Sequence, residues 1–354
     1  MEQSALHLLD ELQKMGHETE LLSLNEIGEL GELLKKHHIP ALSIGYHGKW
    51  GWRSFLPLRK LLKTKQADGL IMVGHNLMAT LALGRLCQGR RLLCLHFHHK
   101  GVLPNWIWRI IYQAAILHFK YIIYPSRFIM NEASEICPFL KAVNRTILHP
   151  IYLPIVVPKE ANLSEKMKLR RELGLPSGTK VIGNAGWLIP RKRWDIFLQV
   201  AQQVLKKIPD ARFLIAGDGS ELPKLKMLAN SLGIEKSVVW LGWQQDLEKF
   251  YHSLDVLLFN SDWDAMGRTP LEAMSHGVPV VASVLHGGLN EIIDRDAYGF
   301  FTDSHDVEWL AAQVMKVLTD EKLAAEMSRQ SRAKIKAVGS PRQYAVKMLH
   351  LLEH

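Results

Sequence analysis

Apolar positions along the chain follow two alternating periods. Residues 2–15 set Ala5, Leu8, Leu9, Leu12 and Met15 on one side, the spacing of an amphipathic helix, and Gly16 stops it. Short apolar runs then alternate with helical stretches. The pattern predicts strands at 18–24, 40–46, 69–74, 91–96 and 121–125. It predicts helices at about 26–37, 54–66, 76–88 and 104–118, and another opening at Ser126, read as its N-cap. Residues 150–165 carry three prolines and no clear period, which marks a linker. A second series follows, with strands at 180–183, 212–216, 237–241, 255–259 and 278–282. Its helices start near Trp194, after Gly219, at 246–252, at Pro270, at 305–318 and at about 320–335. Gly339-Ser340-Pro341 restarts a last helix that runs to Leu352. This alternation predicts an α/β protein with parallel sheets covered by helices on both faces.

A chain of 354 residues is long enough for two domains of ordinary size, and 47% hydrophobic content is enough for full cores. The expected organisation is a Rossmann-like domain over 1–150, a linker over 151–165, a second Rossmann-like domain over 166–336 and a terminal helix over 337–354. No internal repeat is visible.

Charge changes the picture locally. The whole chain carries +9, but residues 51–150 alone hold fourteen Lys/Arg against three Asp/Glu, a net of +11. No nucleic-acid motif accompanies that block, so an anionic membrane surface or an anionic acceptor is the expected partner, and not a nucleic acid. Residues 51–66 combine Leu58, Leu61 and Leu62 with Arg59, Lys60, Lys63 and Lys65, beside Trp50, Trp52 and Phe55. Residues 104–112 add Trp106, Trp108 and Arg109. Both fit a helix packed on the sheet with a solvated basic face. Both also fit a helix at a membrane interface. No apolar run is long enough to span a bilayer, and Met1 is not followed by a signal peptide. Cys87, Cys94 and Cys137 lie in apolar stretches without metal-ligand spacing, as buried thiols in a reducing compartment would. The expected location is cytoplasmic, in solution or peripheral on the inner face of the membrane.

The chemistry concentrates in residues 260–293. An apolar strand at 255–259 gives way to a loop, 261–268. A helix is then announced by Thr269 as cap, Pro270 at its first position and Glu272 three residues after the cap. Gly277 ends it. A helix N-terminus at the end of a parallel strand is an anion site, because its free N–H groups and dipole face the ligand. Asp264 and Glu272 stand eight residues apart across this turn. Glu272 fits a capping box and Asp264 a turn residue, and both fit a ligand site. Ahead of the helix at Trp194 stands a basic trio, Arg191, Lys192 and Arg193, which fits either a solvated turn or a phosphate site. His96, His98 and His99 follow the strand at 91–96. They alternate in direction on an extended segment with no carboxylate beside them, so a metal site is not expected. A histidine at the carboxyl end of a parallel strand instead sits where open α/β sheets bind ligands, and His96 fits either that place or core packing. His75 is a weaker candidate by the same position.

An acid, seven residues, a Glu and then AMSHGVPVVAS resembles the sugar-nucleotide signature of retaining glycosyltransferases of family 4, which have the GT-B fold. The order of strand, Gly217-Asp218-Gly219 turn, helix, strand, Leu241-Gly242 and acid motif is similar to their donor domain over 180–302, and 1–150 resembles their first domain loosely. The resemblance implies two Rossmann-like domains with parallel sheets facing a central cleft. It implies transfer of a sugar from a nucleoside-diphosphate sugar to a hydroxyl of a glycan or lipid-linked acceptor, with retention and without a metal or other cofactor. Glu272 would take the donor ribose hydroxyls, Asp264 would lie near the donor sugar, and Gly267, Arg268 and Thr269 would lie at the diphosphate. His96 would stand near the transferred sugar, a role His98 or His99 takes if the strand ends later. The family segment Gly-Arg-Leu, three residues, Lys matches Gly186, Leu188 and Lys192, which makes Lys192 the diphosphate ligand, with Arg191 or Arg193 beside it. Two positions depart from the family: Asp264 replaces a Glu, and Trp187 replaces the Arg. They leave a second expectation, a catalytically impaired homologue acting as a binding or scaffold subunit. The family's opening strand and glycine turn have no counterpart before residue 2, so Met1 is expected to be internal to a longer chain or a misassigned start. Peripheral attachment through the first domain is common in the family.

Overall fold

A computed structural model describes residues 2–28, 30–45, 55–64, 67–77, 79–81, 90–96, 99, 102–142, 146–293 and 299–353. Trp50, Trp52, Cys87, His98 and most of the helix expected at 76–88 lie outside the described residues. Two compact units result: Met1–Pro154 together with Gly339–His354, and Ile155–Val338.

The first unit contains α1 (Glu2–Lys14), β1 (Leu21–Ser23), α2 (Leu30–Lys36), β2 (Ala41–Ser43), α3 (Phe55–Thr64), β3 (Gly69–Val73), β4 (Arg90–Cys94), α4 (Asn105–His118), β5 (Tyr121–Tyr124), α5 (Arg127–Ile136) and β6 (Ile147–Pro150). Strands β3, β4, β5 and β6 form a parallel sheet in that order. β1 and β2 are shorter than their apolar patterns predict, because only three residues of each find a ladder partner, Leu21↔Ala41 to Ser23↔Ser43. Leu92, Leu93, Ile122 and Ile123 are fully buried between the covering helices. Ser126 caps α5 as expected, its Oγ accepting from the Ile129 amide at 3.3 Å.

The second unit runs α6 (Leu163–Glu172), β7 (Val181–Ala185), α7 (Trp194–Leu205), β8 (Arg212–Ala216), α8 (Leu222–Ser231), β9 (Val238–Gly242), α9 (Glu248–Ser253), β10 (Val256–Asp264), α10 (Arg268–Ser275), β11 (Val280–Gly287), α11 (Leu289–Ile292), β12 (Gly299–Thr302), α12 (Val307–Thr319) and α13 (Glu321–Val338). The final helix, α14 (Pro341–Glu353), belongs to the first unit, where it packs on β4 and α1. The six strands of the second unit form one parallel sheet ordered β12-β11-β10-β7-β8-β9. Chain direction across the sheet reverses between β7 and β10. Crevices form at such a switch point, outside the carboxyl ends of the strands, because neighbouring connections leave in opposite directions there.

Two local expectations are corrected. β10 does not end at Phe259 but continues through Asn260, Ser261, Asp262 and Trp263 to Asp264. Pairing with β11, from Leu257↔Val280 to Asp264↔Gly287, holds these polar residues extended against their weak strand preference. The helix after it starts at Arg268 rather than beyond Thr269. Gly267 is its N-cap, in the left-handed region at φ 73°, which a glycine adopts without steric cost. Thr269 is therefore not the cap; its hydroxyl donates to the Ala185 carbonyl at 3.0 Å and ties α10 to the end of β7.

Candidate active site

The switch point brings together segments 72 to 84 residues apart. After β7 the chain makes a short 3-10 turn, Pro190–Lys192, and Arg193 takes a left-handed conformation at φ 47° to start α7. That conformation is unfavourable for a residue with a Cβ. Arg193 is held there by a two-point contact with Asp195 (3.1 and 2.9 Å) and by Asp262 (3.4 Å). Lys192 donates from Nζ to Oδ2 of Asp264, and both side chains are mostly buried. Asp264 Oδ1 accepts from the Gly267 amide at 3.2 Å. Burial opposes charge on Asp264, but Lys192, the Gly267 amide and Arg191 outweigh it and hold the carboxyl below its usual range. Arg191 donates to the Trp263 carbonyl at 3.3 Å, and its guanidinium lies 4.1 Å from the centre of the Trp263 ring.

Glu272 faces two partners. Its Oε1 accepts from Arg268 Nε and Nη2 at 3.0 and 2.8 Å, and its Oε2 accepts from the Tyr251 hydroxyl at 2.8 Å. It is thus not closing a capping box. Burial, then the charge of Glu272, pushes the Tyr251 hydroxyl well above its ordinary pKa, so it stays a donor. Behind Glu272, His276 Nδ1 lies 2.8 Å from the Glu272 carbonyl, and the rings of Tyr251 and His252 pack against His276. A polar chain braces the other side. Asn260 donates to Ser283 Oγ at 3.0 Å, Ser283 Oγ lies 2.7 Å from His305 Nδ1, and His305 Nε2 donates to Asp262 at 2.9 Å.

Lys192, Arg191, Asp264, Gly267, Arg268, Thr269 and Glu272 therefore gather at the carboxyl ends of β7 and β10. Arg193 is next to them but paired with two carboxylates. Tyr251, Asp262, Trp263 and His305 join the site without having been singled out. Asp262 and Trp263 carried a readable signal, once 260–264 is taken as strand. Tyr251 carried none, since it reaches Glu272 only through the packing of α9.

In the first unit, His96 lies two residues past β4 and is half-buried. His99 is fully buried. Its Nε2 is 2.6 Å from the Tyr112 hydroxyl, its amide donates to Glu132 at 2.9 Å, and its carbonyl accepts from Trp108 Nε1 at 2.9 Å. His99 is a core residue. Among the described residues no group of three or more His, Cys, Asp or Glu side chains could hold a metal ion.

The model of the glycosyl transferases group 1 matches residues 165–334, and that of glycosyltransferase family 4 matches residues 1–149. The chain belongs to the group 1 glycosyltransferases. It is 28% identical over 214 residues to an Escherichia coli UDP-Gal:alpha-D-GlcNAc-diphosphoundecaprenol alpha-1,3-galactosyltransferase, a match covering 58% of this chain and 54% of that enzyme. It thus spans about half the length of that relative. A Haemophilus influenzae uncharacterized glycosyltransferase is 24% identical over 335 residues, 94% of this chain and 90% of the relative. Among solved structures, Anabaena HepE in complex with UDP and glucose superposes with a TM-score of 0.81 at 22% identity, over 99% of this chain and 95% of that one. A glycosyltransferase from Rickettsia africae gives 0.83 at 17% identity, over 99% and 94%. The fold of this group 1 glycosyltransferase is GT-B.

Proposed function

We propose that this protein moves a sugar from a nucleoside-diphosphate sugar to a hydroxyl of a glycan or lipid-linked acceptor, with retention at the anomeric carbon. The observation that carries the reading is the pairing of Lys192 with Asp264 beside the start of α10, at the switch point of the sheet. As the bond between the anomeric carbon and the phosphate oxygen breaks, negative charge grows on the nucleoside diphosphate. Lys192, Arg191, Arg268 and the first-turn N–H groups of α10 stabilise it, each by on the order of 2–4 kcal/mol. The incoming diphosphate competes with Asp264 for Lys192, and Asp264 turns toward the donor sugar. Glu272, aligned by Arg268 and Tyr251, takes the ribose hydroxyls. The acceptor oxygen attacks from the face the diphosphate leaves, and its proton passes to the departing phosphate oxygen, so no separate base is needed. His96, in the first unit, is the candidate contact for a sugar hydroxyl. The compensating charge comes from side chains, and the proposed reaction needs no divalent ion.

The names of the relatives support UDP-sugars as the first donors to test and a lipid-linked acceptor as the first acceptor. An exposed apolar stripe on α4 supports peripheral attachment at the inner membrane face. Trp106 and Leu117 are 60% and 70% exposed, with Ile110 between them and Arg109 exposed alongside. None of the described helices is long and apolar enough to cross a membrane.

A thermal-shift panel of UDP, GDP, ADP and CMP with their common sugars tests the donor site. One nucleotide raises Tm in the wild type and not in Glu272→Ala. Lys192→Ala lowers kcat about 10²–10³-fold, and NMR of the product gives its anomeric configuration. Transfer unchanged by either substitution would refute the assignment. A folded protein with no response to any nucleotide supports a scaffold role, the reading favoured by Trp187 at the position of the family's Arg.

A further inference from the structure

Two exposed indoles stand at the carboxyl edge of the second unit's sheet, and the donor reading above leaves them unused. Trp187 lies two residues past β7, and Trp243 directly follows β9. Their ring centroids are 4.8 Å apart and their planes tilt by 32°. They are 53% and 54% exposed. A tryptophan offers a large apolar face, and two that touch in water keep much of that face available to a planar ligand. The support beneath them is rigid. The Trp187 carbonyl accepts from Trp194 Nε1 at 3.0 Å, the Gly186 amide donates to Ala216 at 2.9 Å, and the Leu188 amide donates to Asp218 at 2.9 Å.

We propose that Trp187 and Trp243 form the stacking face for the nucleobase of the donor, an assignment that rests on the donor reading above. Position argues for this occupant. The pair is on the same carboxyl end of the same sheet as Lys192 and the start of α10. Neighbouring strands are about 4.8 Å apart, and the touching rings, reached from the ends of β7 and β9, lie over β8, about 10 Å from β10. That separation matches the reach of a nucleoside diphosphate from its outer phosphate to its base. Between the two ends lies the turn Gly217-Asp218-Gly219; both glycines have left-handed φ, and a Cβ on either would meet the backbone of Gly186 or Leu188, so the turn lies tight against the segment that carries Trp187. The indoles already touch, so the base stacks on their outer face and not between them. Stacking accepts every base, so the pair sets affinity while base identity is read by other groups.

The test is calorimetry of UDP, ADP, GDP and inorganic pyrophosphate with the full chain and with Trp187→Ala, Trp243→Ala and the double variant. Wild type binds its preferred nucleoside diphosphate more tightly than pyrophosphate. That advantage falls about tenfold in Trp243→Ala and further in the double variant, while pyrophosphate binding stays the same. Trp243→Phe retains most of it. The nucleotide, and not pyrophosphate, quenches wild-type tryptophan fluorescence. Both side chains are exposed, so melting temperatures stay close to wild type. An unchanged advantage in the double variant overturns the platform and leaves the donor site standing. A rise in acceptor KM alone overturns it in favour of an acceptor ring. Nucleotide binding absent from the wild type overturns platform and donor site together.

Discussion

Glu272 is aligned by an arginine one turn away and a tyrosine from another helix, and the two partners differ in what they contribute. Arg268 supplies charge, whereas Tyr251 is buried and supplies direction. Tyr251→Phe keeps the ring and removes the hydrogen bond. It should cost about 1 kcal/mol of stability by urea unfolding and weaken nucleotide binding several-fold by calorimetry. His276 behind it gives a pH prediction. Burial, in a pocket shared with His252, Tyr251, Arg332 and the Glu272 backbone, lowers its pKa to about 4 from 6.5. The folded protein then binds the proton less well than the unfolded chain does. Stability from this group is complete above about pH 6.5 and is lost as pH falls from there toward 4, with a slope of about 1.4 kcal/mol per pH unit. Urea midpoints measured from pH 4 to 7 should fall less steeply on acidification in His276→Gln than in the wild type.

At the scale of elements, the loops of the candidate site depend on backbone crossings that exclude side chains. A Cβ added at Gly217, where φ is 154°, would meet the Gly186 carbonyl oxygen at 1.9 Å. The loop after β7 carries Lys192, so the crossing that Gly217 permits also fixes the cation. Gly217→Ala should destabilise the second unit by more than about 3 kcal/mol, read as a shifted denaturant midpoint, with loss of the nucleotide response. The helix α4 makes a different prediction, because one side is core and the other is not. Trp108, Ile111, Tyr112 and Ala115 are buried, while Trp106 and Leu117 face out. If the outer stripe seats on a membrane, the protein cosediments with vesicles containing anionic lipid, and Trp106→Glu with Leu117→Glu abolishes this without lowering Tm. Cosedimentation equal in the double variant would remove the stripe from the account.

On the scale of the whole molecule, the chain ends in the unit where it began. α14 lies on β4, with Tyr344, Ala345 and Met348 buried, and Arg90 donates to the Leu352 carbonyl at 3.1 Å. Cys94, in β4, is fully buried, and burial pushes its thiol up to about 12. In a Cys87→Ser, Cys137→Ser background, Cys94 should resist a thiol reagent at neutral pH. Removal of residues 340–354 should make it react at a rate typical of an open thiol. Equal protection in the shortened chain would show that α14 is not what covers β4.

Sequence alone determined the class of fold, because alternating apolar strands and amphipathic helices admit few packings other than parallel sheets between helices. It also singled out Lys192, Asp264 and Glu272 as candidates, because they sit in short segments whose spacing resembles a known signature. It misjudged the end of β10 and the start of α10, where ladder pairing with β11 and the left-handed Gly267 overrode local preference. Only the tertiary structure decided which groups meet. Strand order set β7 beside β10 and so put Lys192 on Asp264, 72 residues away. Packing of α9 delivered Tyr251 to Glu272, and the ends of β7 and β9 brought Trp187 against Trp243. Such pairings depend on the order in which strands enter a sheet, and no local window of residues encodes that order.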